Sequence, residues 1–152
     1  MTVTNSRHST ASSTVSPIYI ALIGITGLAI LMQGVWAGLF IGHQGESWVE
    51  VHAVDGEVAI AFAAVASAFA VWKLRHRRDL LVGTLMVTVL LIVEAYLGGL
   101  IVDEHKDILT VVHIPLAMAL MSLAVWLPLR ATHAAKASRL NLPVDHQSRS
   151  TS

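Results

Sequence analysis

The 152-residue chain contains no cysteine. Disulfides, thiolate metal sites and cysteine nucleophiles are therefore excluded. Charge is scarce as well: 13% of residues are Asp, Glu, Lys or Arg, where soluble domains carry about 25%. There is no glycine-rich strand-to-helix turn and no GxSxG elbow, so nucleotide binding and serine hydrolysis find no support. What is abundant is hydrocarbon, at 55% of the residues. It falls into four runs, Ile18–Ile41, Val49–Trp72, Leu80–Val102 and Ile108–Leu129. Each reaches the ~20 residues a helix needs to cross ~30 Å of lipid. The first run is too long for a signal-peptide core and has no small-residue cleavage site after it, so it is read as a span.

The formal net charge of zero hides an asymmetry. The link between runs two and three, KLRHRRD, gathers Lys73, Arg75, Arg77 and Arg78, and Arg130, Lys136 and Arg139 follow run four. The other two links, GHQGESWVE and DEHKD, are nearly free of Lys and Arg. The positive-inside rule then puts both termini and KLRHRRD in the cytoplasm of a cell whose inner or plasma membrane holds the chain. KLRHRRD reads as an anchor at anionic lipid and not as a nucleic-acid site. Residues 1–16 and 132–152 are expected to be disordered cytoplasmic tails. Residues 17–131 form the expected domain, an all-α membrane bundle of four up-down transmembrane helices.

The spans carry signs of an internal repeat of two hairpins. EAYLGGLIVDEHKDILTVVH, residues 94–113, aligns without gaps on QGVWAGLFIGHQGESWVEVH, residues 33–52, after a shift of 61. The identities are Gly99 on Gly38, Leu100 on Leu39, Val112 on Val51 and His113 on His52, and Glu94 falls on Gln33. Hairpins with two spans each have the same orientation in the membrane, so a pseudo-two-fold axis along the membrane normal would relate them.

His52 and His113 begin helices two and four at the outer face, which sets both imidazoles roughly 5–8 Å below that boundary at 1.5 Å per residue. Helices two and four are diagonal in such a bundle. With neighbouring axes about 9 Å apart the diagonal is roughly 13 Å. A histidine with a metal–nitrogen bond of about 2 Å reaches about 6 Å from Cα to metal, so two opposed histidines can share one central iron. Axial ligation by two histidines is one way a helical bundle holds haem. The other readings are a different metal, a proton relay, or structural histidines.

Small residues surround the pair. Gly56 lies one turn below His52 and Ala117 one turn below His113, again 61 apart; Gly34 and Gly38 are matched by Ala95 and Gly99. They offer either room for a porphyrin or close approach of helix backbones. Three carboxylates, Asp55, Glu57 and Glu94, lie deeper within the spans than Glu50. Asp55 shares the His52 face and could accept an imidazole N–H. Together the three could relay protons, support the histidines from behind, or make neutral interhelical hydrogen bonds. His43 and His105, at the outer mouth, read as solvated loop residues.

The stretch LLIVEAYLGGLIVDEHKDILTVVHIPLAMALMSLAVWLPLR resembles the corresponding half of a bacterial haem A synthase. The likeness spans about residues 25–131 and is strongest over 90–126. The chain also resembles small four-helix bacterial membrane proteins of the same arrangement. The synthase family joins two four-helix bundles, each with a histidine on its second and fourth helices. One pair ligates haem b and the other serves the haem being modified. By position the resemblance implies this role for His52 and His113. The departures are a single bundle, Glu50 two residues before His52 instead of three, Ala53 in place of the following arginine, and no outer-loop cysteines. One bundle could hold both a cofactor and a substrate haem only as a homodimer.

The sequence therefore suggests a bis-histidine membrane bundle carrying haem b. It would exchange electrons with a quinone or a membrane redox partner, or handle haem as an accessory. A cofactor-free scaffold or assembly partner and a small proton- or solute-conducting bundle remain the alternatives.

Overall fold

The computed structural model of the protein describes residues 15–42 and 47–140. Four long helices follow one another: α1 (Pro17–Ile41), α2 (Ser47–Lys73), α3 (Arg78–Asp103) and α4 (Thr110–Leu140), the last entered through a 3-10 turn at Asp107–Leu109. No strand occurs among the described residues. Each helix is long and apolar enough to cross a membrane, and lipid permits little else, because a spanning backbone must satisfy its own hydrogen bonds. Leu28, Trp72, Val82, Tyr96 and Met118 all point outward and exposed. In water such a surface would be an aggregation hazard, and against acyl chains it is solvated.

Local chemistry sets the boundaries. The Ser16 hydroxyl accepts from the Ile18 N–H at 3.3 Å, with Pro17 in the first turn, where its missing N–H costs nothing. Gly42 ends α1 by donating its N–H to the Gly38 carbonyl at 2.9 Å. At the other pole Asp79 accepts from Arg77 and from Arg130, each at 3.1 Å, and so ties α3 to α4. The helices match the apolar runs to within two residues at almost every end. The exceptions are at the tails. Residues 132–140, expected to be disordered, continue α4, since ATHAAKASRL is alanine-rich and free of breakers. Val15 and Ser16 are also ordered, with Val15 buried. The remaining tail residues, 1–14 and 141–152, lie outside the described residues.

The helices close a ring in which α1 packs on α2, α2 on α3, α3 on α4 and α4 on α1. Helices α2 and α4 are therefore diagonal. Four buried positions on each helix obey the 61-residue shift, while Ala29, Ser67, Gly83 and Glu94 are buried and their counterparts only half-buried. In α1 the four are Tyr19, Ile23, Thr26 and Ile30, and in α3 Leu80, Thr84, Val87 and Leu91. In α2 they are Ala59, Ala63, Ala66 and Ala70, and in α4 Leu120, Ala124, Leu127 and Ala131. Steps of three and four residues keep each set on one stripe. The small side chains of α2 leave room for the leucines of α4.

All of the shift-related residues lie in the half nearer the KLRHRRD turn. Among the described residues no apolar side chain is buried in α1 after Ile30, in α2 before Ala59, in α3 after Leu91 or in α4 before Leu120. The packed half is pinned by hydroxyls: Tyr19 to Thr84 at 2.6 Å and Ser67 to Thr88 at 2.8 Å. It encloses a space about the size of one water between Thr26, Ala63, Thr84 and Leu127. The opposite half has no such core.

Candidate functional site

The core stripes do not stop where the core does. The α2 stripe runs on from Ala59 through Gly56 to His52, and the α4 stripe from Leu120 through Ala117 to His113. Both histidines are half-buried on bundle-facing positions of diagonal helices.

Each ring is met by the other helix of its own hairpin, at positions 61 apart. His52 Nδ1 lies 3.2 Å from the Gln33 carbonyl. The Gln33 side-chain amide donates to the His52 carbonyl and to Asp55 Oδ2, both at 2.9 Å. In the second hairpin His113 Nδ1 lies 2.5 Å from Glu94 Oε2, with the Glu94 side chain 9% exposed. The distance is that of a charge-assisted contact. The angle is off the axis of a straight hydrogen bond, so Nδ1 and both carboxylate oxygens count as buried without a partner. Both Nε2 atoms are without a protein hydrogen-bond partner among the described residues.

The small residues divide. Gly27 backs onto α4, where an added Cβ would lie 3.5 Å from the Ala124 carbonyl. Gly34 and Gly38 follow it at two and three turns on the same side of α1, yet a Cβ at either would meet nothing within 4 Å. Within this chain they do not bring helices together. Gly56 is covered instead, since a Cβ there would touch the Gln33 amide group at 3.7 Å. Ala117 is half-buried on the α4 stripe. A Cβ added at Gly99 would meet the Asp103 carboxylate, and one at its neighbour Gly98 would lie 3.7 Å from Cε1 of the His113 ring.

The carboxylates divide too. The imidazole partner is Glu94, not Asp55, whose carboxylate takes the Gln33 amide. Glu57 is exposed on the outside of α2, away from this cluster. His105 sits exposed in the α3–α4 link with a positive φ of 54°, and His43 lies outside the described residues. Trp36 and Trp48 stack at 5.6 Å beside the first hairpin's histidine. Gln33 and Gly98 were the residues that pattern reading passed over. The signal for Gln33 was its alignment with Glu94, an amide opposite an acid at the same remove from a histidine.

Among the described residues no group of three or more histidine, aspartate or glutamate side chains converges as a metal site. A porphyrin, which brings four nitrogens of its own, asks the protein for two. Comparison with protein-family models, curated proteins and solved structures finds no match for the chain.

Proposed function

We propose that the protein is a membrane-embedded haem b carrier in which His52 and His113 are the axial ligands. The observation that carries this reading is the paired imidazoles on the inward stripes of diagonal helices, each with a carbonyl or carboxylate oxygen close behind Nδ1 and with Nε2 free of a protein partner. Metal-bound histidines usually have this arrangement, with the second nitrogen held by a carbonyl or carboxylate. Among the described residues no packed apolar core surrounds them, and this, with the open side of Gly34 and Gly38, supplies space for a flat ring. The likeness to one bundle of the haem A synthases points the same way.

Bound haem would supply one-electron chemistry. The chain's own residues hold the rings in register: Gln33 orients His52, Glu94 orients His113, and Asp55 fixes the Gln33 amide. The basic KLRHRRD turn supports an orientation with that pole in the cytoplasm, which sets the histidines towards the outer leaflet of the inner or plasma membrane. A quinone or a membrane redox protein is the natural electron partner, and a homodimer could serve haem handling.

Membranes containing the expressed chain, supplied with haem, should show a Soret band and sharp reduced α-bands. His52→Ala and His113→Ala should each abolish them while the protein still inserts. A colourless wild type would overturn the reading and leave the cofactor-free scaffold. One observation favours a second alternative, a proton-conducting bundle: the buried Glu94 carboxylate has an oxygen, Oε1, with no partner. In that case Glu94→Gln would stop proton flux in vesicles of colourless protein.

A further inference from the structure

The two hairpins treat their histidines differently. Gln33 and Glu94 occupy equivalent positions, and each lies at Nδ1 of its own hairpin's ring. Gln33 offers only its main-chain carbonyl, at 3.2 Å. That carbonyl already accepts a hydrogen bond inside α1, and the Gln33 side chain is committed to Asp55 and to the His52 carbonyl. Glu94 offers a carboxylate oxygen at 2.5 Å, from a side chain 9% exposed.

A carboxylate behind an imidazole holds the proton on Nδ1, leaves Nε2 as the lone-pair donor and raises the ring's basicity. A carbonyl does the same more weakly, because it carries no full charge. Burial amplifies the difference, since little water screens the carboxylate. A more basic axial ligand favours the higher charge on the metal, so it lowers the reduction potential.

We infer that Glu94 is a positioning residue that acts through His113, making it the stronger donor of the two histidines and drawing the haem potential down, with no equivalent at His52. This rests on the haem-carrier reading above. The amide at position 33 and the acid at position 94 break the pseudo-two-fold symmetry at the point where it sets ligand strength.

The test is a redox titration of the full-length protein in membranes, comparing wild type, Glu94→Gln, Glu94→Asp and Gln33→Glu. Glu94→Gln should keep its Soret band and move the midpoint to more positive potential, and Glu94→Asp should bring it back towards wild type. Gln33→Glu, which adds a carboxylate beside Asp55 and so negative charge next to His52, should move it to more negative potential. Glu94→Ala should weaken haem binding about 10–100-fold. A haem-free readout accompanies these. In apo-protein labelled with 15N-histidine, His113 should be the Nδ1–H tautomer in wild type and a mixture in Glu94→Gln.

A coloured wild type whose midpoint ignores both Glu94→Gln and Gln33→Glu overturns the inference alone, as does a His113 tautomer unmoved by Glu94→Gln. Shifts of the same sign in the two variants overturn it too, because a general loosening of the fold has no reason to follow charge. A colourless wild type removes the haem reading and this inference together.

Discussion

Gly83 and Gly38 sit on diagonal apolar helices and meet opposite surroundings. A Cβ at Gly83 would lie 2.9 Å from Leu127 Cδ2 and 3.3 Å from the Trp126 ring, inside the packed half. At Gly38 it would meet nothing within 4 Å. Gly83→Val should therefore destabilise the bundle by about 1–3 kcal/mol, the usual cost of overpacking. Gly38→Ala should be neutral or stabilise by up to about 1 kcal/mol through helix propensity. Thermal unfolding in mild detergent measures both, and equal losses would mean that the histidine half is as tightly packed as the other. The same contrast explains what could be read at this scale. His52 and His113 were legible because ionisable groups in a span are rare and follow a shared offset. Whether a glycine lines a gap or a contact was not legible, because it depends on how far apart two helices stand, and no residue type encodes that. Asp55 was the expected imidazole partner on face-sharing alone, but Gln33 on α1 claims it. A same-helix pattern carries no information about the helix opposite.

Among the elements, α4 shows how a membrane helix tolerates proline. Pro128 has no N–H, so the Ala124 carbonyl, one turn back, loses its helical donor. That carbonyl faces α1 at Gly27, where an added Cβ would lie 3.5 Å away. The glycine lets the α1 backbone come close to an oxygen that would otherwise face hydrocarbon. Gly27→Ala should consequently be tolerated, whereas Gly27→Leu should lever α1 from α4 and cost about 1–3 kcal/mol. Pro128→Ala, by restoring the missing donor, should recover part of that loss in the double variant. A double-variant cycle in the same unfolding assay reads the coupling, and strict additivity would show that carbonyl and glycine do not communicate. The four spans themselves were plain in the hydropathy, because lipid asks for long apolar runs and the links interrupt them with charge. The far end of α4 was missed for the converse reason. Beyond Leu129 the residues turn polar, which ends the membrane signal but not the helix, and the alanines of ATHAAKASRL carry it on to Leu140.

For the whole molecule, the 61-residue repeat is broader than twenty aligned positions with four identities suggested. It governs which residues face inward along all four helices, although Tyr19 answers to Leu80 and Ile23 to Thr84. Burial register persists where side-chain identity has gone, since a two-fold bundle constrains direction more than chemistry. The symmetry is not matched from pole to pole. Among the described residues, the half near KLRHRRD has every buried apolar residue, its hydroxyl pins and the Arg77–Asp79–Arg130 link, while the histidine half has polar contacts among Gln33, His52, Asp55, Glu94 and His113. Local opening free energy follows buried apolar contact, so amide hydrogen exchange of the haem-free protein in detergent should divide along the same line. Amides around Ala63, Thr84 and Leu127 should be protected longest, and those around Gln33, Gly56, Gly98 and Ala117 should exchange sooner. Haem addition should then slow the second group and leave the first almost unchanged, because a ligand that binds the folded form stabilises what it touches. Uniform protection along the helices before haem is added would mean that the histidine half is already closed, with no place for a ring to enter.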